Sequence, residues 1–290
     1  MIILRPHFLA LAGLLACHAK SGRTSARDAH AVTTLRGAPP GLSDLTIDDR
    51  GVLWTVAERD RVIVEMTVDK GGVVSHSIPV QGVPEGVDTE GLVWLGPGRF
   101  VVSSEGKYDP GAGLLWIEIK GDHAVVTHDR TFTNKELGVT LLKNQGAEAL
   151  CGDDRQLLVG IETVGRLPDG ARYAPVVRVR GDSTDLVKFR LTSSTGKLSA
   201  FTCKIDDDGN ARGWAIERDF GVTRILRFSL ASAELEVTPT VAYDLTVKLR
   251  GLRNLEGIVE MSGNRLAIIN DNQSRVLEAP SELMIVPATP

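Results

Sequence analysis

Five acids recur along the chain at nearly even intervals, each closing a short apolar run: Glu58, Glu105, Glu162, Glu217 and Asp271. Three more, Glu90, Glu148 and Glu256, stand at the start of the apolar run that precedes one of them. Asn144, Asn254, Asn270 and Asn272 fall in the same neighbourhoods, and Arg59 and Arg218 directly follow two of the acids. Carboxylates that converge repel one another, so some take up protons unless cations neutralise them. Calcium suits such a group, because it accepts six to eight oxygen ligands, including carboxylates and side-chain amides. The metal set expected on this basis is Glu90, Glu148, Glu256, Asp271 and Asn144. The competing reading is that each acid satisfies backbone N–H groups at a strand tip. The arginines either pair with the acids or grip an anionic substrate through two parallel hydrogen bonds.

The elements that bring these residues together form a repeat. Each unit opens with an apolar strand: LSDLTID (42–48), DTEGLVWL (88–95), QGAEALCG (145–152), LSAFTCKI (198–205) and NLEGIVEM (254–261). A turn rich in Asp, Gly and Asn follows, as hairpins require. A second strand then ends in the recurring acid, and a third alternates apolar with polar: 61–68, 113–120, 185–191, 223–230 and, more weakly, 274–280. Alternation marks a half-buried strand. The acids recur after 47, 57, 55 and 54 residues, close to the length of a four-stranded propeller blade with loops added. The fold expected is an all-β propeller of five or six four-stranded blades. A β-sandwich competes, but it needs no such repeat. In a blade the first strand starts and the second ends at the same mouth of the central channel, so all eight acids should meet there.

The motifs GVDTEGLVW with FVVSSEG, NQGAEALC with LLVGIE, WAIERD, and NLEGIVE with AIINDN resemble the esterase-like-activity-of-phytase family of bacterial secreted proteins. The likeness runs over about residues 40–280. It implies a propeller, export, and phosphoester or ester hydrolysis, and it singles out Glu90, Asn144, Glu148, Glu256 and Asp271 as motif positions. The first unit departs from the pattern, since Leu42-Ser43-Asp44-Leu45 replaces a Leu-Ser-Gly type start. Hydrolysis on this site would use a cation to polarise the scissile oxygen and a carboxylate as base. Glu148, Glu105 and Arg218 are the candidate catalytic residues. The alternative is a non-catalytic propeller that binds a ligand or a protein of the cell envelope.

The N-terminus reads as a targeting segment. Arg5 precedes an apolar run, Phe8–Ala16, which is too short to span a bilayer as a helix. Leu14-Leu15-Ala16-Cys17 resembles a bacterial lipobox, which makes residues 1–16 a signal peptide and Cys17 the site of lipidation. Residues 17–39 are expected to be a flexible tether and residues 40–290 the propeller domain. A membrane-anchored protein of the cell envelope, periplasmic or extracellular, follows. Lipidation leaves Cys151 and Cys203, which occupy matching places in the first strands of adjacent units. They bond to each other in an oxidising compartment or remain two buried thiols.

Residues 39–290 hold 28 Lys and Arg against 36 Asp and Glu, a net charge of −8. Such a surface repels phosphate backbones, so nucleic acid is excluded as a partner. A small anionic or ester substrate is the partner considered. The domain has only His76, His123 and His128, all in third or fourth strands or their turns, which removes a Ser–His–Asp triad. There is no G-x-S-x-G elbow, P-loop, H-E-x-x-H or C-x-x-C. The four tryptophans lie in strands and are expected in the core.

Overall fold

The computed structural model describes residues 31–69, 72–219, 221–247, 254–272 and 280–289. The segment read as a signal peptide, Cys17 and residues 17–30 of the expected tether lie outside them. The strands, in chain order, are β1 (Ala31–Arg36), β2 (Leu42–Ile47), β3 (Leu53–Ala57), β4 (Val62–Asp69), β5 (Gly72–Gln81), β6 (Val87–Gly96), β7 (Arg99–Gly106), β8 (Ala112–Lys120) and β9 (His123–Thr131). A single helical turn, α1 (Asn134–Leu137), precedes β10 (Ala147–Gly152), β11 (Leu157–Ile161), β12 (Gly165–Arg166), β13 (Arg172–Arg180) and β14 (Ser183–Arg190). Then come β15 (Lys197–Ile205), β16 (Ala211–Asp219), β17 (Val222–Leu230), β18 (Glu236–Val237), β19 (Thr240–Asp244), β20 (Asn254–Met261), β21 (Arg265–Asp271) and β22 (Glu282–Pro287).

These strands make five antiparallel blades, each beginning with one of the five apolar strands read from the sequence. The blades are β2–β5, β6–β9, β10–β11–β13–β14, β15–β16–β17–β19 and β20–β21–β22–β1. The innermost strands β2, β6, β10, β15 and β20 neighbour one another in that order, and β20 returns to β2, closing a ring. The apolar core is divided the same way, with one buried cluster at each of the five seams between blades. Trp54 meets Phe100 across the first seam at 5.1 Å between ring centroids, and Phe189, Phe201 and Phe228 pack together across the third. Gly91 shows how close the inner ring is: a Cβ there would lie 2.5 Å from Leu150 of the next blade.

Three readings of the sequence need correction. Residues 31–36 are not tether. They form β1, which pairs antiparallel with β22 from Ala31↔Ile285 to Thr34↔Glu282 and completes the fifth blade, so both ends of the chain close the ring. Among the strand's described side chains only Leu35 is buried, as expected of an outermost strand. In the third blade, residues 185–191 belong to the fourth strand; the third is β13, which contains Pro175. A proline cannot donate to a ladder, and Pro175 sits where the neighbouring edge is interrupted, between β11, whose pairing ends at Val176, and β12, whose pairing begins at Tyr173. In the fifth blade the third strand is β22, and most of 274–280 lies outside the described residues.

Candidate functional site

Each innermost strand carries a β-bulge near its start, between Ser43/Thr46, Thr89/Leu92, Ala147/Ala149, Leu198/Ala200 and Leu255/Gly257. A bulge leaves one residue out of the ladder and re-aims its side chain. The residues so released are Asp44, Glu90, Glu148, Ser199 and Glu256, four of them acids. Burial and mutual repulsion connect them. Glu90 is pushed well above the ordinary carboxyl range by burial and then by Glu148, Glu58, Glu105 and Glu256. Glu148 is raised by burial and by Glu162, Glu256 and Glu105, while Arg218 pulls it down. Asp44 is also raised by burial, against hydrogen bonds from the Leu92 and Leu45 backbone N–H groups. It answers the departure noted in the first unit: Asp44 stands at the place of Glu90 and Glu148, and only the bulge register reveals it.

The second strands deliver their own charges to this mouth. Glu105 lies opposite Asp88, Arg218 opposite Lys197 and Asp271 opposite Asn254, while the Glu162 amide bonds the Gly146 carbonyl. Each partner is two residues before a bulge residue. By this register Arg218, not Glu217, holds the fourth blade's place. The expectation that Glu217 joins the ring is therefore wrong. Its fully buried carboxylate turns away and accepts from the backbone N–H groups and hydroxyls of Thr192 and Ser193 at 2.5–2.9 Å. In sequence the two neighbours are indistinguishable; strand alternation sends them to opposite faces.

Arg218 is the cation at the centre of the described ring. Its Nε donates to Glu256 Oε2 at 3.1 Å and its Nη2 to Glu256 Oε1, across the seam between the fourth and fifth blades. Burial works against its charge, but Glu256, Glu148 and Glu162 outweigh burial and raise it. Beside it Lys197 reaches the other way, to Glu162 at 3.1 Å. Glu256 is raised by burial to about 7, with Arg218 opposing and Asp271 adding to the rise. Glu58, which directly follows β3, is raised to about 8 by burial and by Asp271 and Glu256, with Arg59 opposing. Glu105 is also raised by burial, against a 3.0 Å bond from the Gly146 N–H.

Other expected members stand elsewhere. Asn144 is exposed in a left-handed turn (φ 55°), a conformation asparagine tolerates, so the turn accounts for the residue and it does not join the ring. Asn270 and Asn272 latch backbone: Asn270 accepts from the Glu282 N–H at 2.6 Å and Asn272 from the Gly41 N–H at 2.9 Å. Arg59 is mostly exposed, 3.9 Å from Glu58. Asn254 is more central, donating to both Glu256 and Asp271.

The expected calcium cage is not assembled. Among the described residues no three His, Cys, Asp or Glu side chains converge closely enough to hold a metal ion. The reason is visible in the partners: Glu256 is engaged by Arg218 and Asn254, Glu90 by the Ser43 hydroxyl at 3.1 Å, and Glu105 by Gly146. As they stand, these residues do not fit a calcium ion.

The opposite mouth is different. The ends of all five inner strands line a cavity of about 180 Å³, with Leu45, Leu92, Leu150 and Phe201 on its wall beside Thr46, Thr202, Lys204 and Glu260. Cys151 and Cys203 join there as a disulfide between the third and fourth blades, their Cα atoms 5.5 Å apart.

Comparison with known proteins agrees with this architecture. Residues 24–162, a little under half of the chain, match the model of the SdiA-regulated family. No curated protein matches the chain. Among solved structures, the PQQ-bound aldose sugar dehydrogenase of Streptomyces coelicolor is 12% identical and superposes with a TM-score of 0.52, over 89% of this chain and 98% of that one. Virginiamycin B lyase of Staphylococcus aureus is 11% identical, with a TM-score of 0.40 over 89% and 98% of the two chains. The pyranose dehydrogenase PQQ domain of Coprinopsis cinerea is 11% identical, with a TM-score of 0.43 over 90% and 96%. At such identities the dehydrogenase likeness speaks for the fold alone. The protein is a β-propeller, here of five blades, with a ring of carboxyls around an arginine at one channel mouth.

Proposed function

We propose that this propeller is an exported hydrolase of uncharged ester bonds, held to the envelope membrane through Cys17 and working at its acidic mouth. The observation that carries the reading is Arg218 set among carboxyls whose proton affinity burial raises. A guanidinium in a poorly hydrated site is a strong donor to an oxygen that gains negative charge. A carboxyl whose pKa lies near the working pH is an efficient proton-transfer group. Glu148 is the candidate: burial raises it above the ordinary carboxyl range, Arg218 opposes that rise, and among the described residues its side chain makes no hydrogen bond. In this scheme the ester carbonyl accepts from Arg218. In the molecules where Glu148 is ionised, its carboxylate, with Glu105 beside it, takes the proton of the attacking water and returns it to the leaving oxygen, so the rate rises with pH as Glu148 loses its proton. The surrounding acids disfavour a phosphate dianion, so of the two bond classes the resemblance implies, the ester is the better fit.

The test is hydrolysis of p-nitrophenyl acetate and p-nitrophenyl phosphate by the wild type, Glu148→Gln and Arg218→Lys. Acetate should be cleaved and phosphate not, and Glu148→Gln should lower the rate by about 10²–10⁴-fold. A wild-type rate equal to that of the glutamine variant on both substrates would overturn the hydrolytic reading. The second reading is a non-catalytic propeller that loads calcium, which the raised carboxyls favour because a divalent ion would displace their protons. It requires Glu256 to leave Arg218, and it predicts a rise in melting temperature with Ca²⁺ that EDTA reverses.

A further inference from the structure

Asn254 opens β20, two residues before the bulge at Glu256 and directly across the ladder from Asp271. The same place is held by Asp88 in the second blade and Lys197 in the fourth, each in an ion pair, with Lys107 at 3.6 Å and Glu162 at 3.1 Å. In the fifth blade it is an uncharged amide. Its single nitrogen donates to Glu256 Oε1 at 2.8 Å and to Asp271 Oδ2 at 3.0 Å. The same Glu256 oxygen receives the Nη2 of Arg218. The amide thus lies between Asp271 and Glu256, whose proton affinity Asp271 raises, and fixes the carboxylate that holds the arginine.

Arg218 has other partners within reach of its charge, since Glu148 and Glu162, on the third blade, also stabilise it. Glu256 in turn faces Asp271, Glu162 and Arg218, and its charge is felt by Asp44 and Glu58 on the first blade and by Glu90 on the second. Nothing in this crowd except Asn254 and Arg218 donates to Glu256 among the described residues.

We propose that Asn254 is a positioning residue that holds the Arg218 guanidinium on the fifth blade by fixing Glu256, leaving Glu148 clear of it; its importance rests on Arg218 being the working cation of the mouth. Without the amide, Glu256 and Asp271 face each other directly, Glu256 turns, and the guanidinium is released toward Glu148 and Glu162. An aspartate would not serve, because it would add a third carboxylate where a donor is needed.

The experiment is timed labelling of the full chain with phenylglyoxal, a guanidinium-selective dicarbonyl, read by peptide mass spectrometry at Arg218 and at Arg50 and Arg190 as distant references. The variants are Asn254→Leu, which removes the donor at similar volume, and Asn254→Gln, which keeps it. Labelling of Arg218 should be several-fold faster in the leucine variant and return toward the wild-type rate in the glutamine variant, with the reference arginines unchanged. Should the leucine variant fail to fold, Asn254→Ala, which also lacks the donor, carries the same readout. Equal labelling of Arg218 in wild type and a folded donor-less variant would overturn the proposal. Because labelling needs no substrate, faster labelling in a protein that hydrolyses no ester would keep this inference and sink the hydrolytic reading alone.

Discussion

Replacing Glu58 by glutamine should stabilise the protein above about pH 4.5, by an amount that grows until about pH 8. Glu58 lies at the end of the first blade's second strand with its side chain 18% exposed, and burial together with Asp271 and Glu256 raises it from 4.5 to about 8. Between those two values the folded state holds a proton that the unfolded chain has released. Stability then falls as pH rises, because the native state binds more protons than the unfolded state. Below 4.5 both states are protonated and nothing is lost. Across the window each unit of pH costs ~1.4 kcal/mol, so the full span amounts to on the order of 5 kcal/mol, shared with the carboxyls that repel it. Glutamine keeps the shape and has no proton to lose. Urea unfolding of the two proteins, disulfide intact, should give nearly equal stabilities at about pH 4 and a glutamine advantage that grows to a plateau near pH 9. A difference that does not change with pH, or a glutamine variant less stable at pH 9, would refute the placement of Glu58 in a crowded, buried ring. Calcium offers a cross-check, since an ion bound by the ring would stabilise the wild type most at high pH and shrink that advantage.

Other outcomes follow from the same packing. Glu217→Ala leaves two backbone N–H groups and two hydroxyls of the 192–193 turn without their acceptor; it should cost about 2–5 kcal/mol in urea unfolding, and it should leave ester hydrolysis in the surviving folded protein unchanged. Replacing Cys151 and Cys203 together by serine opens a link between residues 52 apart, and the chain-entropy model gives a loss of about 4 kcal/mol, measurable as the stability difference between the two proteins under non-reducing conditions.

The sequence shows the repeat plainly because its causes are local. Apolar alternation, Asp-Gly and Gly-Asn turns and the acid at each second-strand end all lie within a few residues of one another, and they suffice for a propeller. What escaped depends on contacts between distant segments. β1, only six residues long, is a strand because β22 and β5 offer it partners from distant parts of the chain. Pro175 enters a strand because the ladder beside it is broken there. The exchange of Glu217 for Arg218, and the equivalence of Asp44 with Glu90, hang on where each bulge falls, a one-residue matter that reverses which side chain meets the channel. Asn144 matches a ligand by type, yet its left-handed turn explains it fully. For the same reason a sum of acids suggested a metal cage, whereas the structure has already engaged several of them with Arg218, Asn254, Ser43 and a backbone amide.

The central claim is that four of the five blades deliver carboxyls to one mouth, where the remaining blade supplies Arg218 and burial holds some of those carboxyls protonated near neutrality. Carbon-13 NMR of protein labelled at the glutamate side-chain carboxyls, titrated from pH 4 to pH 9, measures this directly. The account predicts a group of glutamate carboxyls that change state well above the ordinary range, with Glu58 near 8 and Glu256 near 7, each assigned by its loss in a Gln variant. Titration of every glutamate in the ordinary carboxyl range would contradict it.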